Sequence, residues 1–256
     1  MPVDYLRNLT GHERNRRSDR HLGYALAFVA GAVNAGGFLA VGRYTSHMTG
    51  MVSSMADAAV LGDLAALLAA LAAILAFISG SATTAILTNW AARRHLRSRY
   101  ALSLLLEALL LLLFGVAGSY LAELRELLVP ATVLLLCFIM GLQNAVITKI
   151  SSAVIRTTHV TGLTTDIGIE LGKLLYVNRS RNLRPTVSAN RAKLRLHSTL
   201  WVCFLSGGVV GALGFKHVGY SATIPLALLL CLLAGVPAVD DLRYLRAVRP
   251  EVPEKR

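Results

Sequence analysis

Charge is scarce in this chain and unevenly placed. Charged residues make up 16% of the 256 positions, against about 25% in soluble domains, and stretches of roughly 20 residues carry almost none. A helix on the core of a soluble domain keeps a polar face, and these runs have none, so an ordinary soluble domain is excluded. Acids are scarcer than bases: 14 Asp and Glu stand against 26 Lys and Arg, for a formal net charge of +12. On a soluble chain that balance would suggest nucleic acid, through counterion release. Here the bases fall between apolar runs without aromatic interleaving, as the positive-inside rule already demands, so no nucleic-acid partner is expected.

Other absences narrow the field further. The three cysteines, Cys137, Cys203 and Cys231, all lie inside apolar runs and form no Cys-x-x-Cys or zinc spacing; they read as small hydrophobes. There is no Walker A loop, no Gly-x-Gly-x-x-Gly after a strand, no His-Glu-x-x-His, no Gly-x-Ser-x-Gly and no pair of catalytic carboxylates. No cofactor and no metal is therefore expected, and primary pumping by this chain alone is not. No short apolar stretch with a small-residue cleavage site precedes residue 22, so no secretory signal is expected to be removed.

What the chain does have is apolar sequence: 55% of it, with a mean hydropathy of +0.57. A membrane helix needs about 20 apolar residues. Six runs qualify: Leu22–Gly42, Leu64–Thr88, Ala101–Ala122, Ala131–Ile150, Ser198–Phe215 and Ser221–Val239. Pro130 and Pro225 fit breaks near helix termini. Lys and Arg cluster in the N-terminal segment 1–21 (Arg7, Arg14, Arg16, Arg17, Arg20), after the second run (Arg93, Arg94, Arg97, Arg99), in the loop 173–197 and in the tail 240–256. Six crossings with both termini cytoplasmic put all of these on one side and leave Arg43, Arg125 and Lys216 on the other. The expected topology is thus a multi-pass membrane protein with both termini on the cytoplasmic side. The basic stretch Asn178–His197 suits contact with anionic headgroups or a cytoplasmic linker.

The sequence also repeats itself. Thr45-Ser46-His47-Met48-Thr49-Gly50-Met51 recurs as Thr157-Thr158-His159-Val160-Thr161-Gly162-Leu163, with four of the seven positions identical. Upstream, Gly31-Ala32-Val33-Asn34-Ala35 recurs as Gly141-Leu142-Gln143-Asn144-Ala145. Each pair follows or ends the first run of a three-run half, so the chain divides into repeats at 22–122 and 131–239. Three crossings is an odd number, so the halves enter the bilayer with opposite orientation, an arrangement shared by many transporters, whose sites lie between the repeats. The expected fold class is an all-α membrane protein of six transmembrane helices in two inverted three-helix repeats. Arg43–Gly62 and Ile150–Gly172 have enough spare length to re-enter the bilayer as half-helices after the first and fourth spans.

The Gly-x-x-Asn-Ala segment, the His-Met-Thr-Gly motif and the run from Arg156 to Asp166 resemble the YoaK family of bacterial inner-membrane proteins, over about residues 20 to 240. Family members often carry an acid where Asn34 stands, and Asn where Met51 stands. The resemblance implies a multi-pass inner-membrane protein and brings no activity with it.

If both half-helices fold inward, their N-termini meet near the centre, with Thr49 and Thr161 as N-caps and free N–H groups suited to an anion or a carbonyl oxygen. His47 and His159 would flank the pathway, Gly50 and Gly162 would lie beside them, and Asn34, Gln143 and Asn144 would supply hydrogen bonds. The alternative keeps both motifs as surface hairpins, with the glycines at tight turns. Glu107, inside the third run, should face the bundle, be protonated or find a cation. Arg156 and Asp166 suit an ion-pair latch or an interfacial charge cluster. Small-residue stripes at Gly23, Ala27, Gly31 and Ala35, and at Gly207 and Gly211, read as packing surfaces. The favoured function is a secondary transporter or channel for a small, anionic solute. A structural or partner-binding membrane protein, in which a homo-oligomer would fit, remains the alternative, and a His-dependent membrane enzyme ranks below both.

Overall fold

The computed structural model describes residues 16–96, 98–119, 125–178 and 186–247. Arg7, Arg14 and Arg97, the end of the expected third span, the middle of the basic linker and the tail beyond 247 fall outside those residues. Eight α-helices run through the described chain: α1 (Arg16–Val41), α2 (Met48–Leu61), α3 (Leu64–Arg93), α4 (Ala101–Ser119), α5 (Arg125–Ile150), α6 (Val160–Leu175), α7 (Arg191–Val218) and α8 (Thr223–Ala247). A 3₁₀ turn over Gly219–Ala222 joins the last two. The described residues are all-helical apart from their connections, and each of the six expected spans has its helix. Among the described residues five stretches are long and apolar enough to cross a membrane, and the fifth, 191–241, takes in α7 and most of α8.

The helices overrun the apolar limits read from sequence. α1 starts six residues earlier than Leu22, α3 runs on to Arg93 and α7 begins at Arg191. Hydropathy marks where a helix is apolar, whereas capping and propensity decide where it ends. Asp63 caps α3 by accepting from Ala66 N at 2.9 Å, and Asn190 caps α7 by accepting from Lys193 N at 3.0 Å. Pro225 sits in the first turn of α8, where its missing N–H is tolerated. Pro130 does not mark a break, as expected, but lies inside α5, and Pro237 lies inside α8. The expected loop 173–197 is shorter for the same reason: α6 runs to Leu175 and α7 takes over at Arg191.

Packing follows the repeat. α1 packs on α7, α5 on α3, and α4 on α8, while the short helices α2 and α6 lie on α3 and α7. One four-residue pattern, Phe-x-x-Gly, fastens the first two pairs: Phe28–Gly31 on α1, Phe77–Gly80 on α3, Phe138–Gly141 on α5 and Phe204–Gly207 on α7. A Cβ on Gly31 would fall 2.0 Å from the Phe204 carbonyl oxygen, and one on Gly207 would fall 2.0 Å from that of Phe28. The other pair repeats this, Gly141 against Phe77 and Gly80 against Phe138, at 2.0 and 2.1 Å. Backbones touch at both crossings, so only glycine fits. Ser81 and Thr84 tighten the second crossing by donating to the carbonyls of Gly141 and Leu142 at 3.0 and 2.9 Å.

The core runs through α1, α4, α5, α7 and α8, with Leu22, Leu26, Leu104, Phe114, Ile139 and Leu230 fully buried. α3 shows the opposite side of the arrangement: Leu64, Leu68, Leu75, Ile78 and Ile86 are all more than half exposed. Leucine and isoleucine facing outward along a 30-residue helix make sense where the solvent is lipid.

Candidate functional site

Asn34 lies seven residues before the end of α1, about 10 Å back along the helix axis. The chain leaves α1 at Gly42 and returns to that level, where Ser46 donates its backbone N–H (3.3 Å) and its hydroxyl (2.8 Å) to Asn34 Oδ1. The second copy does the same: Thr158 donates its hydroxyl to Asn144 Oδ1 at 2.8 Å, six residues before the end of α5. The two returns differ at their turns. The first uses Gly42 at φ +71°, and the second, two residues longer, places Ser152 and Ala153 at positive φ. A short helix then leaves from each return, so these segments are neither surface hairpins nor crossings but loop-and-half-helix elements folded back along the spans.

The half-helices begin two residues earlier than expected. His47 and His159, not Thr49 and Thr161, occupy the N-cap positions, and neither side chain makes a capping hydrogen bond. Thr49 and Thr161 lie inside the first turn instead. Gly50 and Gly162 are helical rather than at tight turns. Each lies under the imidazole of the preceding histidine: a Cβ would fall 2.5 Å from His47 Nδ1 and 2.2 Å from His159 Nδ1. The glycine therefore lets the ring fold back over the start of its own helix. The amides of the first turn have no acceptor within a helix, so Thr49, Gly50, Thr161 and Gly162 carry N–H groups for an outside partner.

Both elements open on one cavity of about 520 Å³. Its wall takes Asn34 from α1, Ser46, His47 and Thr49 from the first return, Asn144 from α5, and Arg156, Thr158, His159 and Thr161 from the second, together with Phe77 from α3 and Phe204 from α7. Arg156 is the charged residue on this wall, and no carboxylate is among the lining residues. Thr45 and Thr157, in matching places, are fully buried with hydroxyl oxygens that find no hydrogen-bond partner. A second cavity of about 470 Å³ shares Arg156, His159 and Thr161 and extends toward Asp166 and His197.

Two further sequence expectations are corrected. Gln143 is not on the cavity wall: it is fully buried and donates its Nε2–H to Glu107 Oε1 at 2.7 Å. Neighbouring residues on a helix point about 100° apart, so Gln143 and Asn144 face different partners. Glu107 accordingly has an amide for company rather than a cation. Arg156 and Asp166 line the second cavity together but form no ion pair. Asp166 accepts from Lys193 Nζ at 2.9 Å and lies 3.4 Å from His197 Nδ1, because α7, invisible in a local reading, packs across α6. The Lys193 hydrogen bond, ahead of its charge, holds the Asp166 carboxyl below the usual carboxylate range. Glu170 is held low in the same way, by Lys173 (2.9 Å) and then by the Asn190 N–H (2.7 Å).

Phe77 and Phe204 went unread in the sequence, although Phe77-Ile78-Ser79-Gly80 and Phe204-Leu205-Ser206-Gly207 are a matched pair. Their serines even match in detail, each donating to the carbonyl three residues earlier at 2.9 and 3.0 Å.

Long apolar helices joined by short connections, with a polar cavity between two half-helices, define a membrane-embedded multi-pass protein. Within that class, the chain belongs to the family described as protein of unknown function DUF1275, which it matches over residues 22–236. That range coincides with the stretch that resembles the YoaK proteins. Neither a curated protein nor a solved structure matches the chain.

Proposed function

We propose that this protein is a secondary transporter or channel for a small anionic solute, bound in the cavity between two inverted repeats. The observation that carries this reading is the meeting of two half-helix N-termini with Arg156 on a wall without a carboxylate. Each terminus contributes about half a positive charge and unsatisfied N–H groups, which together favour an anion.

Inversion is favoured by the paired contacts. Each Phe-x-x-Gly crossing joins a helix of one half to a helix of the other, and the pattern maps onto itself when the halves are exchanged. With three spans per half, that exchange requires opposite orientations in the bilayer. On this reading the four Lys and Arg clusters lie on the cytoplasmic side of an inner membrane, with both termini there. The substrate-binding residues are Asn34, His47, Thr49, Gly50, Asn144, His159, Thr161 and Gly162, with Arg156 as the fixed charge. Gln143 and Glu107 stand behind the wall rather than on it.

The test is flux in proteoliposomes with a panel of inorganic anions and short carboxylates. Uptake of one class, reduced at least several-fold by Arg156→Gln and by both His47→Ala and His159→Ala, is expected. Folded protein that moves no member of the panel, or whose flux ignores all three substitutions, would sink the transport reading and leave a structural or partner-binding role.

A further inference from the structure

Glu107 has a placement that the cavity does not explain. It lies on α4, fully buried, with Gln143 as its partner and no cation beside it among the described residues. Two oxygens of this pair are left over: Glu107 Oε2 and Gln143 Oε1 are both buried and without a hydrogen-bond partner. One turn nearer the start of α4, the hydroxyl of Ser103 is likewise buried and unpartnered.

These leftovers are complementary. An ionised carboxylate is an acceptor only, so it cannot serve the free oxygen of Gln143. A carboxylic acid can. With a proton on Oε2, the acid donates to Gln143 Oε1 while Oε1 of the acid accepts from Gln143 Nε2, and the pair closes into a ring with both orphans satisfied. An ionised carboxylate in an apolar helix would instead stand uncompensated, which membrane interiors disfavour.

Among the described residues, the elements packed on α4 place no rival charge at this level. α8 runs antiparallel to α4, since Gly115 faces Thr223 while Ser98 donates its backbone N–H to Asp241 at 2.9 Å. That register brings Cys231 level with Glu107 and keeps Asp240, Asp241 and Arg243 near the other end of the pairing. On α5 the titratable residues nearest Gln143 are Cys137 and Lys149, on either side of it along the helix, while Arg125 and Glu126 belong to the first turn, some 17 positions away; on α3 it is Arg93, in the last turn. Tyr220 belongs to the turn at the far end of α4. The Ser98–Asp241 pair, almost completely buried, lies at the same end of α4 as Ser103, so buried polar groups lead inward from there to Glu107.

The geometry points to a proton-binding site in the membrane interior, formed by Glu107 with Gln143 and reached from the Ser98–Asp241 end through Ser103. The step is a simple protonation: carboxylate and proton combine to the acid, and the proton leaves by the same oxygen. Because Gln143 adjoins Asn144, the site shares α5 with the wall of the cavity. The inference does not depend on which solute that cavity takes, and its test uses none.

Infrared difference spectra of the purified protein, wild type and Glu107→Gln, give the direct reading. A protonated-carboxyl stretch present in the wild type, absent from E107Q and displaced in deuterium oxide is expected. Raising the pH should convert it to a carboxylate band, with the ratio of the two forms changing about tenfold per pH unit. A carboxylate band at all pH values, or an acid band that never exchanges, overturns the proposal. Should E107Q not fold, labelling of the wild type by dicyclohexylcarbodiimide decides, with the adduct located by peptide mass spectrometry. Modification at Glu107 that falls as pH rises supports the site. No adduct overturns it, and so does protection by sodium at constant pH, which would make the site one for a metal cation.

Discussion

Gly50 lies beneath the imidazole of His47, so close that a methyl group there would sit 2.5 Å from Nδ1. Gly162 and His159 stand in the same relation, at 2.2 Å. The pairing says what the Thr-x-x-x-Thr-Gly pattern is for: the glycine is a space for a ring, not a turn. Both rings are exposed at the cavity and can rotate away if crowded. Gly50→Ala and Gly162→Ala should therefore leave folding intact, even adding a few tenths of a kcal/mol of helix propensity, roughly up to 1 kcal/mol. The same substitutions should displace the rings and weaken ligand-dependent stabilisation several-fold. Thermal unfolding with and without ligand separates the two effects.

The crossings behave otherwise. At Gly31, Gly80, Gly141 and Gly207 the obstructing atoms are backbone carbonyls, which cannot rotate aside. Alanine at any of them should destabilise by at least the roughly 1–3 kcal/mol of an overpacked core, and two together should prevent recovery of folded protein. Gly168→Ala and Gly172→Ala, where nothing lies within 4 Å, should be neutral or mildly stabilising. Detergent-solubilised melting curves of the six single variants give the comparison directly.

Asn34 and Asn144 tie the returns to their spans. Asn34→Ala removes the acceptor for two Ser46 hydrogen bonds, and Asn144→Ala removes that for Thr158. A loss of about 1 kcal/mol per bond is expected. It should be accompanied by faster amide hydrogen exchange confined to residues 43–50 in one variant and 154–162 in the other. Uniform exchange throughout each variant would mean that the returns are held by something else.

Acid should loosen the contact between α6 and α7. The Asp166 carboxyl is held below its ordinary range by Lys193, so its folded pKa is below its unfolded one. The stabilisation is present above the ordinary carboxylate range, about 3.9 for Asp, and is lost as pH falls through the depressed folded value. Side-chain exposures of 42% and 36% keep it modest, within about 1 kcal/mol. Lys193→Gln should melt lower than the wild type at neutral pH, and the gap should close in acid. A gap that widens in acid contradicts the assignment.

The six long helices were legible because a bilayer demands about 20 apolar residues from each. The Asn and His motifs were legible because they occur twice. Cap positions were not, since His is an uncommon N-cap and Thr a common one, so the rule chose the wrong residue in both copies. Gln143 was grouped with Asn144 by adjacency, although a helix points neighbours in different directions. Arg156 and Asp166 read as a latch or an interfacial charge cluster, because Lys193, 27 residues further on, becomes a neighbour of Asp166 only when α7 packs on α6. The Phe-x-x-Gly pattern was present four times in plain sequence. Hydropathy does not distinguish it, because apolar residues fill every membrane span whether or not they mark a crossing.

The central claim is that two half-helix N-termini and Arg156 make one anion site shared by both halves of the chain. Thermal unfolding of the purified protein against inorganic anions and short carboxylates tests it most directly, with His47→Ala, His159→Ala and Arg156→Gln beside the wild type. A ligand that binds only the folded state stabilises it by about 2.7 kcal/mol at a hundredfold excess over Kd. A shift specific to one anion class, diminished comparably by the histidine substitution in either half and abolished by Arg156→Gln, is the expected result. Folded variants that respond like the wild type, or no shift across the panel, would contradict the claim.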